Sequence, residues 1–355
     1  MLTRSDLPVV PSLSIDRSTG GEFKPADYAA VREATAALCG SLETEDYVLQ
    51  SMPDASPAKW HLAHTTWFFE HFLLEPLFKD YRLFRRTYNY LFNSYYYSVG
   101  DMHKRAERGL LSRPTVSEIK RYRAHVDRHM TKLIRRKKRD PQFMFLLRLG
   151  LNHEQQHQEL ILTDLKHAFW QNPLKPAVRE LLPPVGGHPG GLLWSKGTEG
   201  SVTIGHQEDT FCFDNERPAH EVTLRPHELG SRLITNAEYR DFVRDGGYET
   251  NALWLSDGWA TVQEQGWKRP LYWTEDCEQE FTLGGMRDLD VDAPVCHISY
   301  YEADAFATWA GARLPSEAEL ETAARKFYVD GNFAESTLWQ PAPSERDARY
   351  TQFYG

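Results

Sequence analysis

His153 and His157 stand four residues apart in a stretch where Leu146, Leu149, Leu160 and Leu165 recur at helical spacing. On a helix such a pair shares one face, with Cβ atoms roughly 5–6 Å apart, so both imidazoles can reach one ion. His64 lies in an earlier helical stretch, with His61 and His71 as nearby alternatives for a third ligand. One helical histidine is more often a surface or hydrogen-bonded residue than a ligand. A spaced pair inside an apolar stripe, with further histidines on another helix, points to a metal. Imidazole suits zinc and iron alike, and three of them on one side of an ion leave its other positions free for reactants.

His153-Glu154-Gln155-Gln156-His157 also satisfies the H-E-x-x-H pattern of zinc metallopeptidases. In that chemistry Glu154 is the general base and a third ligand follows downstream. Glu180 is a candidate for that third ligand, but Pro173 and Pro176 interrupt the helix before it. The longer form of the pattern fails, because its glycine and third histidine do not follow His157. A zinc hydrolase is therefore the weaker alternative.

The elements that must hold these groups are helices. Apolar spacing predicts one from Pro25 to about Leu42, and a second from Pro57 to about Phe78 opened by a Ser56-Pro57 pair. Thr115-Val116-Ser117-Glu118 is a capping box that opens a third, ending near Lys137. Asp140-Pro141 opens a fourth, running through His153 and His157 to about Trp170. Between the second and third lies an aromatic connection, Asn89 to Tyr97, too apolar for a solvated loop. Four long helices with short or structured connections predict a four-helix bundle over residues 25–171, preceded by a polar arm, 1–24.

Residues 172–200 change character, with Pro183-Pro184, Gly186-Gly187 and Pro189-Gly190-Gly191, and read as a linker. Residues 201–355 carry short strands, turns and many tryptophans. One clear helix is expected from Tyr301 to about Ala310, and a second from the capping box Ser316-Glu317-Ala318-Glu319. The fold class expected is α+β in two domains, a length of 355 residues being enough for two cores.

Net charge is −9, which disfavours a nucleic-acid surface overall. The basic run Arg135 to Arg139 falls at a helix C-terminus, where cations complement the dipole and face water. No segment is apolar enough for a signal peptide or a membrane span. Cys39, Cys212, Cys277 and Cys296 are scattered without a CxxC, as free thiols in a reducing cytoplasm would be.

Three stretches together resemble the ergothioneine sulfoxide synthases, also called hercynine oxygenases. These are His61-Leu62-Ala63-His64 with Trp67-Phe68-Phe69-Glu70, then His153 to Leu160, then a dispersed C-terminal set. That set comprises Asp214 to His220, Asp245-Gly246-Gly247-Tyr248 and Arg313 to Leu320. The resemblance covers roughly residues 25–355. It implies a DinB-like four-helix bundle followed by a formylglycine-generating-enzyme-like mixed domain of C-type-lectin-like architecture. It lowers the hydrolase reading further.

By this resemblance His64, His153 and His157 correspond to three ligands of a non-haem Fe(II). The activity implied is O2-dependent coupling of a thiol to C2 of hercynine, with oxidation of the sulfur to a sulfoxide. Binding to a metal lowers a thiol's pKa, and holding both partners on one ion supplies orientation. Leu91-Phe92-Asn93-Ser94-Tyr95-Tyr96 resembles the branch that uses free cysteine. Tyr95 and Tyr96 are there implied to lend a proton or hydrogen bond that steers toward C–S coupling. Arg105 and Arg108 are candidates to clamp the cysteine carboxylate, and the trimethylammonium group favours an aromatic wall.

A selenoneine-synthase-like relative would share most of these motifs. A non-enzymatic binding module is a further class, since formylglycine-enzyme-like domains also serve as scaffolds. Formylglycine chemistry itself is not expected, because no two cysteines of the second domain are closely spaced. The family's C-terminal domain continues into a Trp-rich segment, whereas this sequence stops at Tyr354-Gly355. The expectation is therefore of a chain that binds iron but turns over poorly.

Overall fold

The computed structural model describes residues 26–94, 96–179, 182, 186–208, 210–344 and 352–354, with Tyr97 described by its backbone alone. The chain divides into two compact units, meeting in sequence at Arg179 and Glu180. The first is helical and the second mixes short sheets with helices, so the class is α+β.

Four long helices build the first unit: α1, Asp27–Leu38; α2, Ala58–Phe69; α3, Val116–Lys137; and α4, Pro141–Gln171. Every residue of α2 is buried. A helix enclosed on all sides must be central, and α2 packs on both α3 and α4 while α1 packs on α4. The capping box at Thr115 is present: its hydroxyl accepts from the Glu118 N–H at 3.2 Å, and Glu118 accepts from the Thr115 N–H at 3.0 Å. Asp140 caps α4 through the Phe143 N–H.

Two expectations for α2 need correction. Ser56 does not cap it; the helix begins at Ala58 with Pro57 in the cap position and no side-chain cap bond. Ser56 instead donates its N–H to Asp164 at 2.8 Å and accepts from Arg108 at 2.9 Å. The helix is also not regular to Phe78, because Glu70–Leu74 forms a π-helical turn. Glu70 explains it. The buried carboxylate accepts from the Tyr81 hydroxyl, the Phe84 N–H and the Tyr122 hydroxyl at 2.7, 2.9 and 2.6 Å. Three donors satisfy this buried acceptor at the start of the turn.

Among the described residues, the second unit contains six strands in three antiparallel pairs. Trp194–Lys196 (β1) pairs with Glu228–Gly230 (β4), and Gly200–Ile204 (β2) with His220–Leu224 (β3). Gln279–Thr282 (β5) pairs with Gly285–Asp288 (β6). Strand β1 lies inside the stretch read as a linker. The Pro/Gly punctuation ends at Gly191, and Leu192-Leu193-Trp194 then supplies the apolar start of a strand.

Helices Tyr300–Trp309 and Glu317–Ala324 stand where expected, each behind a complete capping box. Two more were not expected, Asn236–Arg244 and Ser256–Gln265. The first has its own box, Thr235 with Glu238, which was a readable signal. The core of this unit gathers Tyr239, Phe242, Tyr248, Trp254, Trp273 and Phe306, aromatic side chains with large apolar areas.

Candidate metal centre

His64 projects from α2, and His153 and His157 from successive turns of α4. One ring nitrogen from each lies within 4.8 Å of the other two, the only such three-ligand group among the described residues. His153 Nε2 is 3.1 Å from His64 Nε2 and 3.1 Å from His157 Nε2. His64 and His157 are buried and His153 is partly so.

Hydrogen bonds behind the rings decide which nitrogens are bare. His64 Nδ1 donates to the Phe92 carbonyl at 2.6 Å, which leaves Nε2 with a lone pair. His61 Nε2 faces the Asp164 carboxylate at 3.1 Å, and His61 Nδ1 faces His157 Nδ1 at 2.8 Å. With His61 donating to Asp164, its Nδ1 accepts from His157, and His157 Nε2 is bare as well. His153 Nδ1 has no hydrogen-bond partner among the described residues.

Two bare nitrogens thus converge on a third, and one N–H on His153 can satisfy only one of them. A cation satisfies all three. Nitrogens about 2.1 Å from one ion and about 90–100° apart would lie roughly 3.1 Å from one another, the spacing of the two pairs that include His153. The residues fit a metal.

Charge agrees with this. Burial, reinforced by His153, holds His64 well below the ordinary imidazole range. Burial, reinforced by His64 and His61, does the same to His157. Burial also lowers His153 to about 4, against a smaller opposing pull from Glu154. Neutral imidazoles are the state a metal requires.

The ring of His64 is clamped in an aromatic stack. Trp60 lies on it with centroids 4.6 Å apart and planes 11° apart, and Trp67 stacks at 5.7 Å and 22°. The Arg108 guanidinium sits 3.4 Å over the Trp60 ring. Spacings of three and four residues on α2 put these rings on one helical stripe.

Glu154 does not stand free to act as a base. Its Oε2 accepts from Arg32 at 2.8 Å, and its Oε1 accepts from Thr35 at 2.7 Å and from Arg123 at 3.1 Å. Burial pushes the carboxyl up, but the two guanidiniums outweigh it and hold the group below its ordinary range. Its role is to tie α4 to α1 and α3, which removes the group that a zinc hydrolase would need.

Of the remaining expected residues, Arg108 is buried, with Nη1 on Ser56 Oγ and Nη2 on Ser94 Oγ, both at 2.9 Å. Its charge is among the influences that depress His64 and His157. Arg105 is exposed and donates to the Asp54 carbonyl. The Tyr96 ring packs on Trp67 at 5.7 Å and on Phe72 at 5.2 Å, one ring away from His64. Tyr95 lies outside the described residues. His71 stacks on Trp67 and meets Glu75, while His61 backs His157. Sequence reasoning missed Asp164, whose signal was its place two turns beyond His157 on α4.

The second unit holds a cavity of about 1160 Å³ lined by Trp194, Tyr239, Phe306, Arg232 and Arg313 among others. Its two arginines are engaged in bidentate pairs, with Glu238 and Glu319. The bonds from Arg313 hold the Glu319 carboxyl down to about 2, against a smaller upward push from burial. These are internal ties of the fold.

Residues 27–161 match the DinB superfamily, and residues 196–354 match the sulfatase-modifying factor enzyme 1-like domain. The hercynine oxygenase of Mycolicibacterium smegmatis is 37% identical over 187 residues, 52% of this chain and 42% of that one. The hercynine oxygenase of Mycolicibacterium thermoresistibile is 32% identical over 245 residues, 69% of this chain and 51% of that one. The formylglycine-generating enzyme of Streptomyces coelicolor is 31% identical over 182 residues, 42% of this chain and 54% of that one. The chain spans about half the length of these curated relatives. Its first part is thus similar to the DinB superfamily and its second to the sulfatase-modifying factor enzyme 1-like domain, and the chain is similar to the hercynine oxygenases over about half of their length.

Proposed function

We propose that this chain carries the metal centre of an ergothioneine sulfoxide synthase, with Fe(II) held by His64, His153 and His157. The substrates would be hercynine, O2 and a thiol, free cysteine. The observation that carries this reading is the convergence of three neutral imidazoles, two of them locked as bare Nε2 donors. Iron bound there would supply open positions for a thiolate and dioxygen.

The chain's own residues do the rest. Arg108, a buried cation seated on Trp60, would draw the cysteine carboxylate toward the histidines. Arg105 would serve only at the approach, given its exposure. Trp60, Trp67 and Phe68 around His64 and His153 exclude water and hold the rings in place. Burial raises the Tyr96 phenol above its ordinary range, so it stays protonated and can give a hydrogen bond. With Tyr95 it would favour C–S coupling over plain thiol oxidation.

No helix among the described residues is long and apolar enough to cross a membrane. A cytoplasmic setting suits four cysteines that form no disulfide among the described residues. The test is anaerobic reconstitution with Fe(II), then aerobic assay with hercynine and cysteine, beside His153→Ala. Mass spectrometry should find a coupled sulfoxide that the variant does not make. Metal-loaded protein that yields neither coupled nor oxidised thiol would overturn the reading.

A further inference from the structure

The three imidazoles are not supported alike. Behind His64 stands a neutral carbonyl, Phe92 O at 2.6 Å, and behind His153 no protein group among the described residues. Among the described residues, only His157 is backed by a hydrogen-bonded chain that ends on a carboxylate. Its Nδ1 meets His61 Nδ1 at 2.8 Å, and His61 Nε2 meets Asp164 Oδ2 at 3.1 Å. His61 is 2% exposed and the Asp164 side chain 13%. The same Asp164 oxygen accepts the Ser56 N–H at 2.8 Å, so it is fixed from the N-terminal end of α2 as well as by its own helix, α4.

We propose that Asp164 and His61 are positioning residues that act on the metal through His157. Asp164 accepts the His61 Nε2 proton, which fixes His61 as an acceptor at Nδ1. His61 then accepts from His157 Nδ1, which fixes the His157 tautomer, holds its ring plane and turns Nε2 into the site. The carboxylate charge, relayed through His61, makes His157 the strongest electron donor of the three. This rests on the three-histidine metal reading. A charge-backed imidazole is the general way proteins tune a ligand, and loss of the backing group typically costs about 10–100-fold in metal affinity.

The test uses the full chain loaded with Co(II), with affinity measured by competition against a chelator. Three variants are compared with wild type: His61→Leu, His61→Gln and Asp164→Asn. Affinity should fall ~10–100-fold in His61→Leu and Asp164→Asn. It should fall less in His61→Gln, whose amide oxygen accepts the same N–H. Asparagine keeps an acceptor for the Ser56 N–H, so Asp164→Asn remains informative where His61→Leu does not fold.

Proton NMR of the Co(II) protein gives a readout that a merely structural role would not move. The exchangeable N–H resonance of His157 should shift in Asp164→Asn, while that of His64 stays. Affinities within twofold of wild type and an unmoved His157 resonance would overturn the proposal. If His64→Ala and His153→Ala bind Co(II) as wild type does, the metal reading itself falls, and this inference with it.

Discussion

Arg32 Nη1 lies 2.8 Å from Glu154 Oε2, so the glutamate of the H-E-x-x-H pattern is spent on a buried ion pair. Arg123 reaches the other oxygen at 3.1 Å, and Thr35 fills the remainder. Glu154 is fully buried, and its two arginines nearly so. The motif is thus two histidines of the three-imidazole cluster and an anchor. It fastens the helix that bears His153 and His157 to the two helices around it.

Glu154→Ala should therefore unfold the first unit more readily. Removing one partner of a buried pair leaves uncompensated charge and costs about 3–5 kcal/mol. Urea denaturation of the metal-free protein measures it. A loss under 1 kcal/mol would show that the anchor is dispensable.

The metal-free site should lose stability in acid. His153 stands at about 4 when folded, against an ordinary value near 6.5 when unfolded. Between these values the unfolded chain binds more protons, so stability rises with pH. The His153 share of that loss should accrue as pH drops from about 6.5 toward about 4 and then level off. His153→Ala should flatten part of that slope in thermal or urea unfolding. An identical slope in both proteins would contradict the assignment.

Metal uptake at pH 7 should release almost no protons, because all three imidazoles are already neutral. Calorimetry in two buffers of different ionisation enthalpy checks this. Release near one proton per metal would place a charged histidine among the three in the metal-free protein.

Arg108→Lys should weaken the thiol substrate selectively. An ammonium cannot reproduce a planar guanidinium lying 3.4 Å over Trp60 with a serine on each Nη. KM for cysteine should rise by about tenfold or more, the size of one lost charge-assisted bond. KM for hercynine should move little. Equal changes in both would mean that Arg108 supports the fold and not the thiol.

Tyr96→Phe should keep the metal and change the product ratio. The ring packing on Trp67 and Phe72 survives the substitution, and only the hydroxyl is lost. Oxidised but uncoupled cysteine should increase relative to coupled sulfoxide, as read by mass spectrometry. An unchanged ratio would leave the steering role to Tyr95 or to none.

The parts of this protein legible in its sequence are those governed by local rules. The Thr115 and Ser316 capping boxes and the Asp140-Pro141 start depend on residues within one turn, and all three hold. The spacing of His153 and His157 is likewise local. What was not legible depends on distant partners. Ser56 fails as a cap because the helix starts at Ala58 with Pro57 in the cap position, and the Ser56 hydroxyl accepts from Arg108, 52 residues on. Glu154 looks like a base until Arg32, 122 residues before it, is placed beside it. His61 reads as a spare ligand, and only its contacts 96 and 103 residues away turn it into support for His157. The Asn236–Arg244 helix was missed despite its box because only Tyr239 and Phe242 mark its buried apolar face.

X-ray absorption on the protein loaded anaerobically with one equivalent of Fe(II) tests the central claim most directly. Three imidazole nitrogens are expected at about 2.1 Å, with light oxygen scatterers completing the coordination. One imidazole should disappear in each of His64→Ala, His153→Ala and His157→Ala. A shell with fewer than two imidazoles in the unaltered protein, or one unchanged by all three substitutions, would contradict it.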